Sequence, residues 1–446
     1  MSPRNNPPST GLLPSPARLC APPYLGPACF FCPPELIASI RRYRALMTTA
    51  DSSDGPQRFL APHLRSLGTT VFAEMSALAS ATGSINLGQG FPDTDGPESV
   101  REAAVAALRT GQGNQYPPGI GVAPLREAIA RHQERFYGQI VDPDTEVLVT
   151  AGATEAIAAA ILAVVDVGDE VIALEPYYDS YAATITMARG MRVPITLHPP
   201  DFRVNIEALR AAVTPRTRVL LVNSPHNPTG MVLTDHERTA IRDVAVEHDL
   251  IVISDEVYEH LVFDDRQHIP LATLPGMRDR TITISSGGKT FSFTGWKIGW
   301  AIAEAGLLNA VRTTKQFLTY VSGGPFQYAI AGALDLPDDY FATLASDLQR
   351  KRDLLAEGLA DLGMQVFPPE GTYFITTDVA PLGFTDGMDF CRQLPHLAGV
   401  VAIPHKVFYD TTVVGQTLVR WAFCKRDEIL IEALQRLRAI TPATSP

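Results

Sequence analysis

The sequence has few basic residues and no long apolar run. Its 446 residues carry 37 Lys and Arg against 48 Asp and Glu, which gives a formal net charge of −11. Surfaces that bind nucleic acid or anionic membranes need clustered basic residues, so we expect neither class of partner. No apolar stretch approaches the length of a membrane span, and the N-terminus lacks the residue order of a secretory signal. We therefore expect a cytoplasmic globular protein with small-molecule ligands.

Cysteine is also scarce, and its five positions do not indicate a disulfide framework or a metal site. Cys20, Cys29 and Cys32 lie in the N-terminal tail, whereas Cys391 and Cys424 stand alone. The spacing of Cys29 and Cys32 is typical of redox or zinc motifs, but it lacks a strand-helix context, a second pair and nearby histidines. We interpret this pair as two ordinary thiols and expect no metal.

The first 58 residues differ from the rest of the chain. They are rich in Pro, Ser and Ala and show no sustained hydrophobic period, which predicts a disordered extension interrupted by one short helical patch, "ELIASIRRYRALM". Met47 offers an alternative start. We expect a chain that begins there to fold, dimerise and turn over normally.

Strand and helix patterns alternate after about residue 100. Helices are predicted at "ATEAIAAAILAVV" and "TDHERTAIRDVAVEHD", the second opened by Thr234 or Asp235. Strands are predicted at "TEVLVTAG", "DEVIALEP", "RVLLVNSP", "LIVISDE" and "RTITISS". Several of these strands are unbroken apolar runs, which are typical of strands buried on both faces. The pattern predicts a mostly parallel sheet covered by helices, with ligands at the carboxyl ends of the strands.

Polar residues follow four of these strands. They are Gly152-Ala153-Thr154, Asn227, Asp255 with Tyr258, and Ser286 with Lys289. A glycine and a small hydroxyl residue at a helix start leave free N–H donors that suit a phosphate, and Lys297 would add a cation. Each position alone has an ordinary explanation, since Asp255 could cap a helix and Tyr258 could be core. Their joint order indicates a ligand site.

A cofactor with a phosphate, an aldehyde and a basic ring nitrogen would need all of these groups. A lysine amine can condense with the aldehyde, and an aspartate can keep the ring nitrogen protonated. Asparagine and tyrosine can hydrogen-bond the phenolic oxygen. The residues therefore predict pyridoxal phosphate.

Eight ordered motifs make this prediction more specific. They are "NLGQGFPD", "NQYPPG", "AGATEA", "EPYYDSY", "NSPHNPTG", "SDEVYEH", "SSGGKTFSFTGWKIGW" and "LVRWAFCKRD". From about residue 60 onward the chain resembles a fold-type-I, class I/II aminotransferase dependent on pyridoxal phosphate. It is most similar to the branch of kynurenine/glutamine transaminases, cysteine-conjugate β-lyases and N-succinyldiaminopimelate aminotransferases.

The resemblance implies roles for the residues around the cofactor. Lys289 resembles the Schiff-base lysine that also moves the substrate proton, and Asp255 resembles the partner of the ring nitrogen. Asn227 and Tyr258 match the partners of the phenolic oxygen, and Tyr178, rather than Tyr177, matches the residue stacked on the ring. The positions that match the phosphate site are Gly152, Ala153, Thr154, Ser286 and Lys297, with Tyr116 reaching the phosphate of the neighbouring subunit.

The resemblance also implies how substrate binds. Arg420 matches the arginine that holds the α-carboxylate, and an arginine fork fixes a carboxylate through two hydrogen bonds. Gly90 and Phe91 would cover the substrate, and Asn227 would add a hydrogen bond.

The architecture that follows is α/β, with a large domain of mostly parallel sheet and a smaller α+β domain. We expect residues 59–100 and 335–446 to build the small domain and residues 101–334 the large cofactor-binding domain. Because Tyr116 would serve a neighbouring site, we expect a homodimer with shared active sites.

Three alternatives differ in class. A nicotinamide oxidoreductase would need a Gly-x-Gly-x-x-Gly turn between strand and helix, which is lacking. A transcription regulator would need a basic helix-turn-helix module in front. A carbon–sulfur β-lyase uses the same lysine, so the motifs leave it open.

The amino donor also stays open at this level. We expect a 2-oxoglutarate-linked aminotransferase active on N-succinyl-diaminopimelate and on donors such as kynurenine, methionine or glutamine. Arg65 would serve donors with a distal carboxylate, and Phe91, Tyr178 and Phe326 would supply an aromatic surface.

Overall fold

The computed structural model describes residues 59–440. The extension predicted for residues 1–58, with its cysteines, helical patch and Met47, lies outside the described residues. Residues 61–440 belong to one compact unit. No helix within residues 59–440 combines the length and apolarity needed to cross a membrane.

The described part of the chain contains thirteen strands and thirteen α-helices, together with short 3₁₀ turns. The strands are β1 Ile85–Asn86, β2 Val147–Ala151, β3 Glu170–Glu175, β4 Met191–Thr196, β5 Thr217–Asn223, β6 Ile251–Asp255, β7 Thr281–Ser286, β8 Ile298–Ile302, β9 Gln365–Phe367, β10 Phe374–Asp378, β11 Val400–Val401, β12 Ile403–Pro404 and β13 Leu418–Ala422. The helices are α1 Val71–Thr82, α2 Glu98–Thr110, α3 Ala123–Tyr137, α4 Gly152–Val164, α5 Asp179–Met187, α6 Ile206–Ala211, α7 Asp235–Glu247, α8 Gly287–Thr290, α9 Ala305–Lys315, α10 Gly324–Leu334, α11 Asp338–Asp361, α12 Gly387–Ala398 and α13 Asp427–Leu437.

A seven-stranded sheet forms the centre, in the order β2-β8-β7-β6-β5-β3-β4. Strands β3 to β7 pair in parallel, whereas β8 is antiparallel to both β2 and β7. This confirms the predicted mostly parallel sheet covered by helices. The edge strand β4 contains Pro194, which an edge tolerates because one side of its backbone needs no ladder partner.

The local sequence explains why these elements form. The apolar runs of β5 and β6 are buried on both faces, as in other parallel sheets packed between helices. Helix α7 begins at Asp235 because the Thr234 and Glu237 side chains form a capping box there. Thr234, one of the two predicted openings, is therefore the N-cap.

Two smaller sheets lie beside the main one. Strands β12-β13-β10-β9 form an antiparallel sheet, and β1 pairs in parallel with β11. Around them, apolar side chains of α1, α11, α12 and α13 pack into one core with β10 and β13, including Leu355, Phe390 and Trp421. This is the smaller α+β domain that the fold class predicted. The sequence boundaries at residues 100/101 and 334/335 stay a prediction.

The sheet order determines which residues meet at one edge. The carboxyl ends of β5, β6 and β7 carry Asn223, Asp255 and Ser286. Because β8 runs the opposite way, its first residue lies at this edge, and Ile298 pairs with Ala151 at the end of β2. Lys297 is thereby brought beside the start of α4.

Candidate active site

A cavity of about 470 Å³ opens at this edge. Most of the site residues predicted from the sequence line it, namely Gly90, Phe91, Gly152, Ala153, Thr154, Tyr178, Asn227, Asp255, Tyr258, Ser286, Lys289, Lys297 and Arg420. Residues separated by more than 300 positions in the chain thus line one cavity.

Lys289 projects from α8, a single turn that follows β7. Its Nζ lies 3.1 Å from Tyr373 Oη and 5.6 Å from the centre of the Tyr258 ring. Burial lowers the pKa of Lys289 to about 8, since little water remains to solvate an ammonium group there. A substantial neutral fraction at ordinary pH makes this amine a nucleophile toward a carbonyl.

Asp255 ends β6 at the floor of the cavity. Its carboxylate accepts hydrogen bonds from the Tyr181 hydroxyl at 2.5 Å and from the Val257 N–H at 3.3 Å. Burial nevertheless raises the pKa of Asp255 to about 6, and the nearby Lys289 opposes that rise. A cation placed beside this carboxylate would favour its ionised form.

Two asparagines connect Asp255 to Arg420 through hydrogen bonds. The Asn223 amide donates to the Asp255 carbonyl at 2.8 Å, and its side-chain oxygen accepts the Asn227 N–H at 2.7 Å. Asn227 Oδ1 in turn accepts from Arg420 Nη1 at 2.9 Å. This arrangement leaves the Asn227 NH₂ group available to a ligand.

The start of α4 forms the opposite end of the cavity. Gly152 has φ of +73°, and the N-cap residue Ala151 has no side chain that could cap the helix, although the Glu155 carboxylate accepts from the Ala151 N–H at 2.5 Å. Lys297 also has a left-handed backbone, and its Nζ lies 3.4 Å from Thr154 Oγ1. A Cβ on Gly152 would lie 3.1 Å from Lys297 Nζ and would fill the space between them. With Ser286 at the adjacent end of β7, these groups form a cradle for an anion.

Arg420 is a buried cation on β13, with a relative exposure of 2%. Its Nη2 donates to the Gly88 carbonyl at 2.9 Å, its Cζ lies 3.9 Å above the centre of the Phe374 ring, and its Nε has no partner among residues 59–440. Burial lowers the pKa of Arg420 to about 10. Since its hydrogen bonds go to neutral acceptors, its charge is available to an anion in the cavity.

The two adjacent tyrosines after β3 have different surroundings. Tyr178 lines the cavity, with its ring 5.8 Å from that of Tyr181 at a right angle. Tyr177 points elsewhere and donates to Asp410 Oδ2 at 2.7 Å. Of the two, only Tyr178 can contact a ligand in the cavity.

Tyr116, predicted to serve the neighbouring subunit, and Arg65 and Phe326, predicted near the substrate entrance, are not among the residues that line this cavity. Tyr116 is 81% exposed, with its ring 5.6 Å from that of Tyr320. Arg65 follows the short 3₁₀ turn Pro62–Leu64 on the surface. Phe326 stacks on Trp296, and its expected contribution to the aromatic surface stays a prediction.

A buried polar cluster fixes the segment that carries Asp255 and Tyr258. His132 Nε2 on α3 lies 2.7 Å from His260 Nε2, which is a hydrogen-bond distance. The carboxylate of Glu259 accepts from Tyr137 at 2.6 Å and from Ser285 at 2.5 Å. Each carboxylate oxygen already has a donor, so the cluster anchors this segment to α3 and β7.

Sequence reasoning missed several lining residues. Tyr181 and Asn223 orient Asp255 and Asn227, whereas Phe72 and Phe374 pack around Arg420. Tyr181 and Asn223 lie within quoted motifs, so their neighbours gave a signal. Tyr373, which is hydrogen-bonded to Lys289, lies directly before β10, and nothing in the sequence distinguishes it from a core residue.

Comparison with known proteins agrees with this geometry. The model of the family "aminotransferase class I and II" matches residues 82–437. A probable N-succinyldiaminopimelate aminotransferase, DapC, of Mycobacterium tuberculosis is 53% identical over 393 residues, 85% of this chain and 99% of that protein. A solved structure of N-succinyldiaminopimelate aminotransferase from Mycobacterium tuberculosis has a TM-score of 0.84 and 54% identity, covering 86% of this chain and 100% of that one.

More distant relatives carry other substrate names. The methionine aminotransferase of Escherichia coli is 41% identical over 377 residues, 84% of this chain and 97% of that protein. The kynurenine–oxoglutarate transaminase of Dictyostelium discoideum is 37% identical over 409 residues, 83% of this chain and 94% of that protein. These likenesses confirm the resemblance inferred from the motifs. The chain belongs to the class I and II aminotransferases, enzymes that use pyridoxal phosphate.

Proposed function

We propose that Lys289, Asp255 and the start of α4 hold pyridoxal phosphate in this cavity. The donor set fits the group: an amine with a lowered pKa for the aldehyde, a buried carboxylate for the ring nitrogen and a helix start without an N-cap side chain for the phosphate. The space that a Cβ on Gly152 would fill leaves room for a phosphate oxygen beside Lys297. When bound, the cofactor supplies a carbonyl and an electron-accepting ring.

The residues around it have separate tasks in this proposal. Asp255 keeps a proton on the ring nitrogen, and Tyr178 packs against the ring face. The Asn227 NH₂ group and the Tyr258 hydroxyl donate to the phenolic oxygen. Lys289 carries the proton removed from the substrate α-carbon, a task that suits an amine whose pKa lies near 8.

One observation carries the substrate assignment. Arg420 is a buried guanidinium whose Nη atoms bond to neutral partners and whose Nε has no partner within residues 59–440, and it lines the same cavity as Lys289. The α-carboxylate of an amino acid would neutralise this charge through two hydrogen bonds. Fixing the carboxylate there orients the bond between the α-carbon and its hydrogen relative to Lys289.

The donor we propose first is N-succinyl-diaminopimelate, with 2-oxoglutarate as the acceptor. Support comes from the 53% identity with the probable DapC of Mycobacterium tuberculosis. A second class, methionine- or kynurenine-like donors, is favoured by the aromatic lining of Phe72, Phe91 and Tyr178. We therefore propose activity on both classes. The curated relatives described above are named as aminotransferases, so β-elimination is not favoured.

We also propose a homodimer, whose second copy would cover an exposed aromatic patch. Tyr116, Phe317, Leu318 and Tyr320 are 81%, 84%, 45% and 51% exposed. The patch is joined to α4, whose first residues line the cavity, because Thr319, between Leu318 and Tyr320, donates through its hydroxyl to Glu155 on α4 at 2.5 Å. A second copy bound here would place its Tyr116 near the anion cradle.

An amino-donor panel tests this function. Glutamate formed from 2-oxoglutarate reports transamination, whereas pyruvate with ammonia reports β-elimination. We expect glutamate from the succinylated donor and from methionine, and no turnover by Lys289→Ala. Arg65→Ala, in the same panel, should weaken only donors with a distal carboxylate. Turnover retained by Lys289→Ala would contradict the proposal, and equal losses for both donors would remove Arg65 from the specificity argument.

A further inference from the structure

Tyr373 connects the proposed cofactor lysine to the glycine segment on the opposite wall. Its hydroxyl accepts a hydrogen bond from Lys289 Nζ at 3.1 Å and donates to the Gly90 carbonyl at 2.6 Å. The ring is 1% exposed and packs edge-on against Tyr258, 5.3 Å between centres. Burial raises the pKa of Tyr373 well above its usual range, so the hydroxyl stays neutral.

The glycine segment itself is held on both sides of Gly90. Leu87 bonds to the backbones of β11 and β13, because its N–H donates to Val401 and its carbonyl accepts from Ala422. The Gly88 carbonyl accepts from Arg420 at 2.9 Å, and the Phe91 carbonyl accepts from Lys425 at 2.6 Å. The segment is therefore a firm anchor for Tyr373.

No side chain fits at Gly90. A Cβ there would lie 2.3 Å from Phe374 and 2.5 Å from the Tyr373 ring. This close approach lets the Gly90 carbonyl reach the hydroxyl. The same segment thus contacts the carboxylate arginine through Gly88 and the lysine through Gly90 and Tyr373.

We infer that Tyr373 is a positioning residue for Lys289, which holds the free amine in one orientation through the Gly90 carbonyl. The inference rests on the proposed role of Lys289. Since the hydroxyl proton is directed at Gly90, an oxygen lone pair faces Lys289 Nζ. One N–H is thereby fixed, and the remaining positions on the nitrogen point into the cavity, where the substrate proton is exchanged. Removing the hydroxyl should slow proton transfer and leave substrate binding intact.

The same contact should affect the basicity of the amine. The titratable groups that face Lys289 are Asp255 from β6, Tyr258 from the segment after it, Lys297 before β8, Tyr373 before β10, and Arg420 and Cys424 on and after β13. Of these, Tyr373 is hydrogen-bonded to Nζ. An acceptor stabilises the ammonium form, so its loss should lower the pH at which the amine becomes reactive.

The test is Tyr373→Phe in the full chain. Its matched control is Tyr177→Phe, which removes a hydroxyl bonded to Asp410 outside the cavity. Each protein is stripped of cofactor and reloaded with pyridoxal phosphate across pH 6 to 10. Borohydride reduction followed by peptide mass analysis gives the rate of covalent capture at Lys289. Steady-state kinetics with methionine gives kcat and KM.

For Tyr373→Phe we expect kcat to fall about tenfold, the effect of one hydrogen bond to a charged group, with KM within about twofold. The capture midpoint should move down by roughly half a pH unit or more. Tyr177→Phe should match the wild type in both measurements. An unchanged kcat with an unchanged midpoint in Tyr373→Phe would overturn the inference.

If Tyr373→Phe does not fold, a second variant provides the same measurement. 4-Aminophenylalanine at position 373 retains a polar group, but its nitrogen is a weaker acceptor than a phenol oxygen. Its capture midpoint must therefore also lie below that of the wild type, and an equal midpoint would overturn the inference. Failure of the proposed function is a different result, since it would appear as covalent capture that persists in Lys289→Ala.

Discussion

Replacing Arg420 by methionine should separate catalysis from stability. The charged form is destabilised in the folded protein, because burial lowers the pKa of Arg420 from 12.5 to about 10. This depression corresponds to on the order of 3 kcal/mol. Both the folded and the unfolded chain carry the charge at pH 7, so the whole penalty is present there. The Arg420→Met substitution removes this penalty, because methionine carries no charge.

The substitution also removes favourable contacts. Two hydrogen bonds from the charged guanidinium to neutral acceptors, Asn227 and the Gly88 carbonyl, contribute about 1.5 kcal/mol each, the low end for a charged donor. Methionine keeps most of the packing against Phe374, since its chain is unbranched and polarizable. The two contributions nearly cancel, so we expect the thermal midpoint of the cofactor-free protein to stay the same or rise slightly.

Activity should respond very differently. Losing a two-point contact with the α-carboxylate removes two charge-assisted hydrogen bonds, about 3 to 6 kcal/mol together. This corresponds to a loss in kcat/KM of roughly 10²- to 10⁴-fold for every donor. Arg420→Lys keeps the charge without the planar fork, and its loss should be intermediate.

Arg352→Met provides the matched control. Arg352 is also buried, but its guanidinium forms a two-point ion pair with Asp264 at 2.5 and 2.9 Å. Breaking that pair should lower the thermal midpoint and leave kcat/KM unchanged. The measurements are thermal unfolding of the cofactor-free proteins and kinetics with two donors. A midpoint that falls as far in Arg420→Met as in Arg352→Met would refute the assignment of Arg420 as an unpaired, ligand-directed cation.

Two further predictions concern Asp255 and the subunit contact. Asp255→Asn should reduce kcat by more than about tenfold, because the amide cannot keep the ring nitrogen protonated. Without cofactor it should also stabilise the protein above pH 6 and have no effect below about pH 4. The sign follows from a folded pKa of about 6 against an ordinary 3.8, so wild-type stability falls as the pH rises between them; thermal unfolding from pH 4 to 8 checks it. For the dimer, mixing inactive Tyr116→Ala and Lys289→Ala chains should restore part of the activity, and no recovery in a verified mixed dimer would argue against shared sites.

The central sheet was predictable because the local sequence of its strands indicates where each strand lies. The apolar runs that became β5 and β6 can be buried only between helices, and the capping box at Thr234 stops α7 from starting elsewhere. Parallel pairing then brings the ends of these strands to one edge. The sequence alone therefore places Asp255 and Lys289 at the same edge of the sheet.

The antiparallel strand β8 was not predictable in the same way. Its five residues follow Lys297, which has a left-handed backbone. Nothing in the preceding motif indicates which way the strand then runs, because strand direction depends on pairing with β2 and β7. That direction nevertheless determines where the Lys297 amine lies.

Residues that act through another residue were the hardest to find. A tyrosine before a strand, such as Tyr373, has the pattern of a core side chain, and it is indeed buried. Its significance lies in two distances, to an amine 84 positions earlier and to a carbonyl 283 positions earlier. Spacing in the sequence cannot encode such a contact.

The burial of Arg420 is explained by its proposed function and not by an internal ion pair. In the sequence it is an arginine inside an apolar strand, a position where an internal ion pair is the common explanation. In the structure its two terminal nitrogens bond to neutral oxygens, while Nε is left without a partner among residues 59–440. A fold that needed only stability would gain by replacing this side chain with an apolar one. The buried charge of Arg420 destabilises the folded protein, and this charge has a chemical use only when an anion enters the cavity. The sign of the stability change in Arg420→Met therefore tests whether Arg420 serves to bind a carboxylate.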